Sequence, residues 1–147
     1  MNTPRFALPH IMVAQAHKEI THNEALAKID ALLHLSVVGT AVAPPTLTSA
    51  DSGKCWIVGA TSASGDWVGN ENAIASWNGA SWAMIDPVAG MRAWDHQAGV
   101  ELRFLDGEWQ QPATINDPQG GAVIDVEARL ALVALLNRLR SVGMIGE

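Results

Sequence analysis

The sequence predicts an α+β fold: an N-terminal helix, an antiparallel Trp-rich β-meander and a C-terminal amphipathic helix. Three observations carry this reading. Helix caps and helical apolar spacing occur only towards the two ends of the chain, short apolar runs broken by Gly, Asn-Gly and Asp-Gly fill residues 54–112, and all six tryptophans lie between Trp56 and Trp109. No strand-helix-strand alternation is present, so a parallel sheet with a dinucleotide crevice is not expected. At 147 residues the expectation is one domain over residues 14–147, helical over 14–36, β-rich over 54–112 and helical again over 125–142.

Residues 1–13 precede that domain as an extended arm. Pro4 and Pro9 block a regular helix, yet Phe6, Leu8, Ile11 and Met12 are too apolar for a solvated tail, so the arm reads as an assembly contact. Thr21 and Glu24 stand at capping-box spacing and predict a helix from about Thr21 to Leu35. Leu26, Ile29 and Leu33 share one face of it, Glu24 and Lys28 form a solvent-side pair, and residues 14–20 read as a separate helical turn. Pro44-Pro45 and the following Ser/Thr/Asp/Gly run end the helical region.

Six strands are then expected: CWIV, AIASW, SWAMI, MRAW, VELRFL and EWQQ. Asn78-Gly79 and Asp106-Gly107 tolerate the positive φ of tight turns, and residues 96–99 mark a further hairpin. SWNGASW and FLDGEW are weakly alike, but one such pair does not establish a repeat. The last helix has well-specified ends. Asp125 is its N-cap, Glu127 lies in the first turn, Arg138 and Arg140 lie in the last, and Gly143 is the C′ residue. Ala128, Leu132, Leu135, Leu139 and Val142 alternate four-three along it as a coiled-coil seam, and Leu136 widens the apolar face, which suits either an assembly of more than two copies or a helix packed on its own sheet.

Composition excludes several function classes. Fifteen acidic against nine basic residues give a formal charge of −6, which offers no basis for a groove tracking nucleic-acid phosphates. The lone Cys55 rules out a disulfide framework. Pro9 and His10 interrupt the N-terminal apolar stretch, so neither a signal peptide nor a membrane span is expected, and synthesis in the cytoplasm is. His17, Glu19 and His22 lack the i, i+4 histidine spacing of a zinc helix, and Asp66 stands where a phosphate loop needs lysine. Asp66, Asp86, Asp95, Glu101, Asp106 and Glu108 are each explained by turns, strand ends or solvent-facing strand positions, so no catalytic residue, metal ligand or cofactor is assigned.

Six tryptophans without a tyrosine leave two readings open. Trp serves as the main bulky core filler, or Trp67, Trp77, Trp82, Trp94 and Trp109 expose flat rings that bind a glycan or a partner. Exposure and coplanarity separate the two. Trp77 and Trp82 share a sheet face only if residues 78–81 form a four-residue loop that pairs them directly.

Taken together, AQAHKEITHNEALAKIDALL, the run GDWVGNENAIASWNGASWAMIDPVAGMRAWD, FLDGEW, and GGAVIDVEARLALVALLNRLRSVGMI resemble an uncharacterised family of phage, prophage and gene-transfer-agent structural proteins. The resemblance covers most of the chain, with KEITHNEAL followed by a Trp-rich middle as its signature. It implies a virion structural role in a tail fibre or head spike, contributing to host-surface attachment, and it supplies no catalytic residues. Members extend further than this chain, which stops soon after its last helix, so a base or adaptor position is expected rather than a distal tip. Implied partners are other virion structural proteins, host capsular polysaccharide and further copies of the chain itself. Spikes and fibres are often trimers, which favours three copies along the helical seam.

Overall fold

In the computed structural model, residues 1–12, 18–121 and 125–146 are described. The architecture is α+β: α1 (Lys18–Leu32), β1 (Ser36–Val37), β2 (Thr40–Ala41), β3 (Cys55–Val58), β4 (Ile74–Trp77), β5 (Trp82–Ile85), β6 (Arg92–Asp95), β7 (Val100–Leu105), β8 (Glu108–Gln110) and α2 (Val126–Ser141). All six expected strands form. They build two sheets rather than one meander, in the orders β1-β6-β7-β8 and β2-β3-β4-β5. Each sheet follows the same plan, an antiparallel three-strand meander whose first strand is extended by a two-residue strand in parallel pairing. The short strands β1 and β2 escape sequence reading because two residues carry no detectable periodicity. The chain crosses from one sheet to the other between them, at Val38-Gly39.

Alternation along the strands sets the core. Cys55, Ile57, Ile74 and Ile85 from one sheet join Ala93, Val100 and Leu102 from the other, together with Ala31, Leu35 and Val37, in a single buried cluster. Removing each large aliphatic side chain of this cluster from water contributes about 1.5–3 kcal/mol. The opposite face of β3 is buried as well: Trp56 and Val58 pack with Trp67 and Ala75 in a second cluster under residues 41–47. Burial on both faces explains why β3 reads as a continuous apolar run.

Three N-terminal expectations need correction. The helix begins by Lys18, so Thr21 lies inside it as an exposed residue and not at its cap; the separate turn over 14–20 falls partly on residues 13–17, outside the described residues, and its described part belongs to α1. Ile29 and Leu33 are exposed, and the face turned inward carries Asp30 and Ala31 instead. The reason is the arm, which is a closed loop and not an extended strand. Its ends are tied by the Thr3 amide donating to the Leu8 carbonyl (2.9 Å) and the His10 amide donating to Met1 (3.0 Å).

That loop docks on its own helix. The Asp30 carboxylate accepts the Thr3 hydroxyl (2.6 Å) and the amides of Phe6 (2.8 Å) and Arg5 (2.9 Å). Arg5 returns the favour to the helix end: its guanidinium donates to the carbonyls of Asp30, Ala31 and His34. These carbonyls have no intrahelical donor or lie at the terminus, and α1 has no basic residue of its own in its last turn. The Ile11 amide donates to the Asn23 side chain, and Leu8 and Ile11 are half-buried, whereas Phe6 and Met12 remain exposed.

At the other end α2 keeps the expected caps. The Asp125 carboxylate accepts the Ala128 amide at 2.8 Å, and Gly143 sits at φ +67° in a closing turn where the Met144 amide donates to the Leu139 carbonyl. Gly143 lies against the Trp94 ring with no room for a Cβ, and its carbonyl accepts the Glu101 amide, which fastens this end of α2 to β6 and β7.

Candidate functional site

Two features stand out from the body, an aromatic groove on one sheet and the open face of α2. The groove is built by the β4–β5 hairpin. Asn78, Gly79, Ala80 and Ser81 form a four-residue loop, with the Asn78 carboxamide oxygen accepting the amides of Ala80 and Ser81. Trp77 and Trp82 therefore pair directly across the strands and share a face with Trp56 and Met84. Trp82 is the hub of the cluster. Its ring lies 5.1 Å from Trp67, 5.6 Å from Trp56 and 5.1 Å from Trp77, at interplanar angles of 78°, 84° and 56°.

Pro44, Pro45 and Leu47 form the facing wall, and Asp66 from the turn ahead of Trp67 lies at the rim with Ser81 and Ala80. The groove they enclose measures about 470 Å³, within the size range of ligand clefts. Asp66 is the one charged group in its lining. The Trp77 indole N–H is donated to the Thr48 carbonyl at 2.8 Å, so Trp77 presents its ring and not a donor.

The five tryptophans singled out from sequence do not form one platform. Trp67 is fully buried and takes no part in any surface; its indole nitrogen has no partner among the described residues. Trp77 and Trp82 are half-buried in the groove. Trp94 and Trp109 belong to the other sheet, on opposite faces: Trp94 pairs with outward Glu101, and Trp109 pairs with Phe104 and donates its N–H to Asn72. The likeness of SWNGASW to FLDGEW now has a structural counterpart. Each meander ends in a hairpin with an aromatic pair facing across it, Trp77 with Trp82 and Phe104 with Trp109.

The second feature is α2, in which no described residue is buried. Arg129, Val133, Leu136 and Arg140 make one half-buried stripe towards the chain. Arg129 donates to the carbonyls of Pro118 and Gly120, and Arg140 pairs with Asp117 at 2.9 Å and donates to the Ile115 carbonyl. Leu136 thus belongs to the stripe that meets the linker. The neighbouring stripe is the seam, and it stays open: Leu132 is 51%, Leu135 54% and Val142 38% exposed, Ala128 is exposed and Leu139 half-buried. α1 adds exposed Ile20 and Ile29, and Leu33 just past its end is exposed as well.

The dispersed carboxylates behave as turn and surface groups. Asp95 is buried and accepts the amides of Gln97 and Ala98, which closes the residue 96–99 hairpin, while Glu101 pairs with Arg92 at 3.4 Å. Among the described residues no group of three His, Cys, Asp or Glu side chains is placed to hold a metal ion, and no helix is long and apolar enough to cross a membrane. His17 lies outside the described residues, and the His22 ring bonds the Lys18 carbonyl.

Residues 22–110 match the family of proteins of unknown function designated DUF2793, more than half of the chain. The chain belongs to this family. The matched span runs from α1 through β8, so the DUF2793 region is the two-sheet body, and α2 lies beyond it. No curated protein matches the chain.

Proposed function

We propose that this DUF2793 protein is a non-enzymatic structural and attachment component of a phage-like particle, a base or adaptor piece of a spike or tail fibre that assembles as a homo-oligomer. The observation that carries this reading is the open seam of α2. A 16-residue helix with Leu132, Leu135 and Val142 outside the core would be marginal alone, and a second copy supplies the same four-three pattern in return. Exposed Ile20, Ile29, Phe6 and Met12 add apolar surface that neighbouring virion proteins would cover. The resemblance to phage, prophage and gene-transfer-agent proteins supports the setting, and three copies suit that setting best.

A second reading is a carbohydrate-binding module that takes host capsular polysaccharide; its support is the Trp77–Trp82 groove as a cleft and not a coplanar platform, since the two half-buried rings stand 56° apart. Both readings place the protein on a particle after synthesis in the bacterial cytoplasm. A mass-spectrometric inventory of purified particles tests this: the chain is expected in stoichiometric amounts in intact particles, and its absence from them overturns the assignment.

A further inference from the structure

We propose that the groove between Trp77, Trp82, Pro44 and Pro45 is a subsite for a neutral pyranose unit of a glycan chain, and that it discriminates against acidic glycans. This deepens the attachment reading and rests on it. The groove offers two kinds of interaction. The indole faces are electron-rich and apolar, which suits the C–H face of a pyranose ring, and the Asp66 carboxylate accepts hydrogen bonds but donates none. A ligand that fits must therefore bring an apolar face together with hydroxyl donors at its edge. O–H to carboxylate bonds are the strong, charge-assisted kind.

Charge narrows the class further. The lining holds Asp66 and no cation, and the whole chain carries −6, so a uronate or sialate placed here meets only repulsion. A proline-rich peptide supplies few N–H groups for Asp66, and the Trp77 indole N–H, already donated to Thr48, is not free for its carbonyls. A quaternary ammonium needs separated aromatic walls around it. Trp77 and Trp82 touch at 5.1 Å and 56°, which leaves no box between them. The pyranose brings an apolar face for the indole rings and hydroxyl donors for Asp66 in one neutral unit.

Titration of the intact protein with neutral hexaoses of gluco, manno and galacto configuration, with polygalacturonate and with a proline decapeptide decides the matter, read by calorimetry and tryptophan fluorescence. At least one neutral hexaose is expected to bind in the millimolar range or tighter, and polygalacturonate is not. Trp77→Ala should weaken that binding at least tenfold. Because Trp77 also packs on Trp82, the surface variant Asp66→Asn provides the fold-neutral arm: it should weaken neutral binding about fivefold at unchanged melting temperature. No binding by any neutral hexaose, stronger binding of polygalacturonate or the decapeptide, or affinity untouched in Asp66→Asn overturns the subsite. Light scattering on the same samples keeps the two questions apart, since an intact oligomer without glycan binding removes the subsite alone.

Discussion

Asp30 shows how much one side chain organises here. It is 1% exposed, and its carboxylate is the shared acceptor for Thr3, Arg5 and Phe6, so it is the central tie of the N-terminal loop to α1, beside the Arg5 guanidinium and the Ile11–Asn23 contact. Burial pushes its carboxyl up, but the Thr3 hydroxyl, the Phe6 and Arg5 amides and the Arg5 charge outweigh that and hold it below the ordinary 3.8. Asp30→Ala strands these donors and is expected to cost about 3 kcal/mol in denaturant unfolding. The pH dependence follows from the same depression. A carboxylate with a lowered folded pKa contributes stability above its unfolded value and loses it as pH falls through the folded one. Asp51, held at about 2 chiefly by Lys54 and then by Thr48, acts the same way, so the melting temperature should drop steadily as pH is taken from about 4 towards 2. Burial pushes the Cys55 thiol up, and it should react with a thiol reagent at pH 8 only on unfolding; rapid labelling of native protein would contradict its place in the core. None of Asp30's role was legible in sequence, because its partners lie 24–27 residues away in a segment with no periodic signal.

Elements fared better where their signals are local. Strand β7 matches VELRFL residue for residue, and α2 has the expected Asp125 and Gly143 ends, because caps and tight turns are encoded within a few positions. The α1 start was misplaced because Thr21 and Glu24 have capping spacing but lie inside the helix, and the contacts of Arg5 and Asp30 that hold its last turn to the arm join residues far apart in the chain. The groove was half legible. The sequence posed the pairing of Trp77 with Trp82 as conditional on a four-residue loop, which the structure forms, whereas the Pro44-Pro45 wall and the burial of Trp67 depend on tertiary packing. Gly79 at φ +98° sits in that loop, and Gly79→Val is expected to destabilise by at least about 1 kcal/mol in thermal melts. Leu135→Glu with Leu139→Glu tests α2. Leu135 is exposed and Leu139 half-buried, so the double variant should stay folded by circular dichroism while its mass falls to that of one chain.

At the scale of the molecule, the division of labour is between sheets and helices. The two meanders bury their apolar residues against each other and against the tryptophan cluster, and they satisfy the core without help from α2. Both helices instead leave leucines and isoleucines in solvent, α1 through Ile20 and Ile29 and α2 through Leu132 and Leu135. Apolar side chains left open on both helices are the kind of surface that partner contacts cover. The arm fits the same picture with one revision: because residues 3–6 complete the Asp30 network, deleting residues 2–11 should lower stability as well as assembly. The central claim is that copies of this chain meet through α2. Light scattering on the purified protein across a wide concentration range tests it most directly: the account predicts a mass of three times 15.6 kDa, and a monomer that persists at the highest concentration would contradict it.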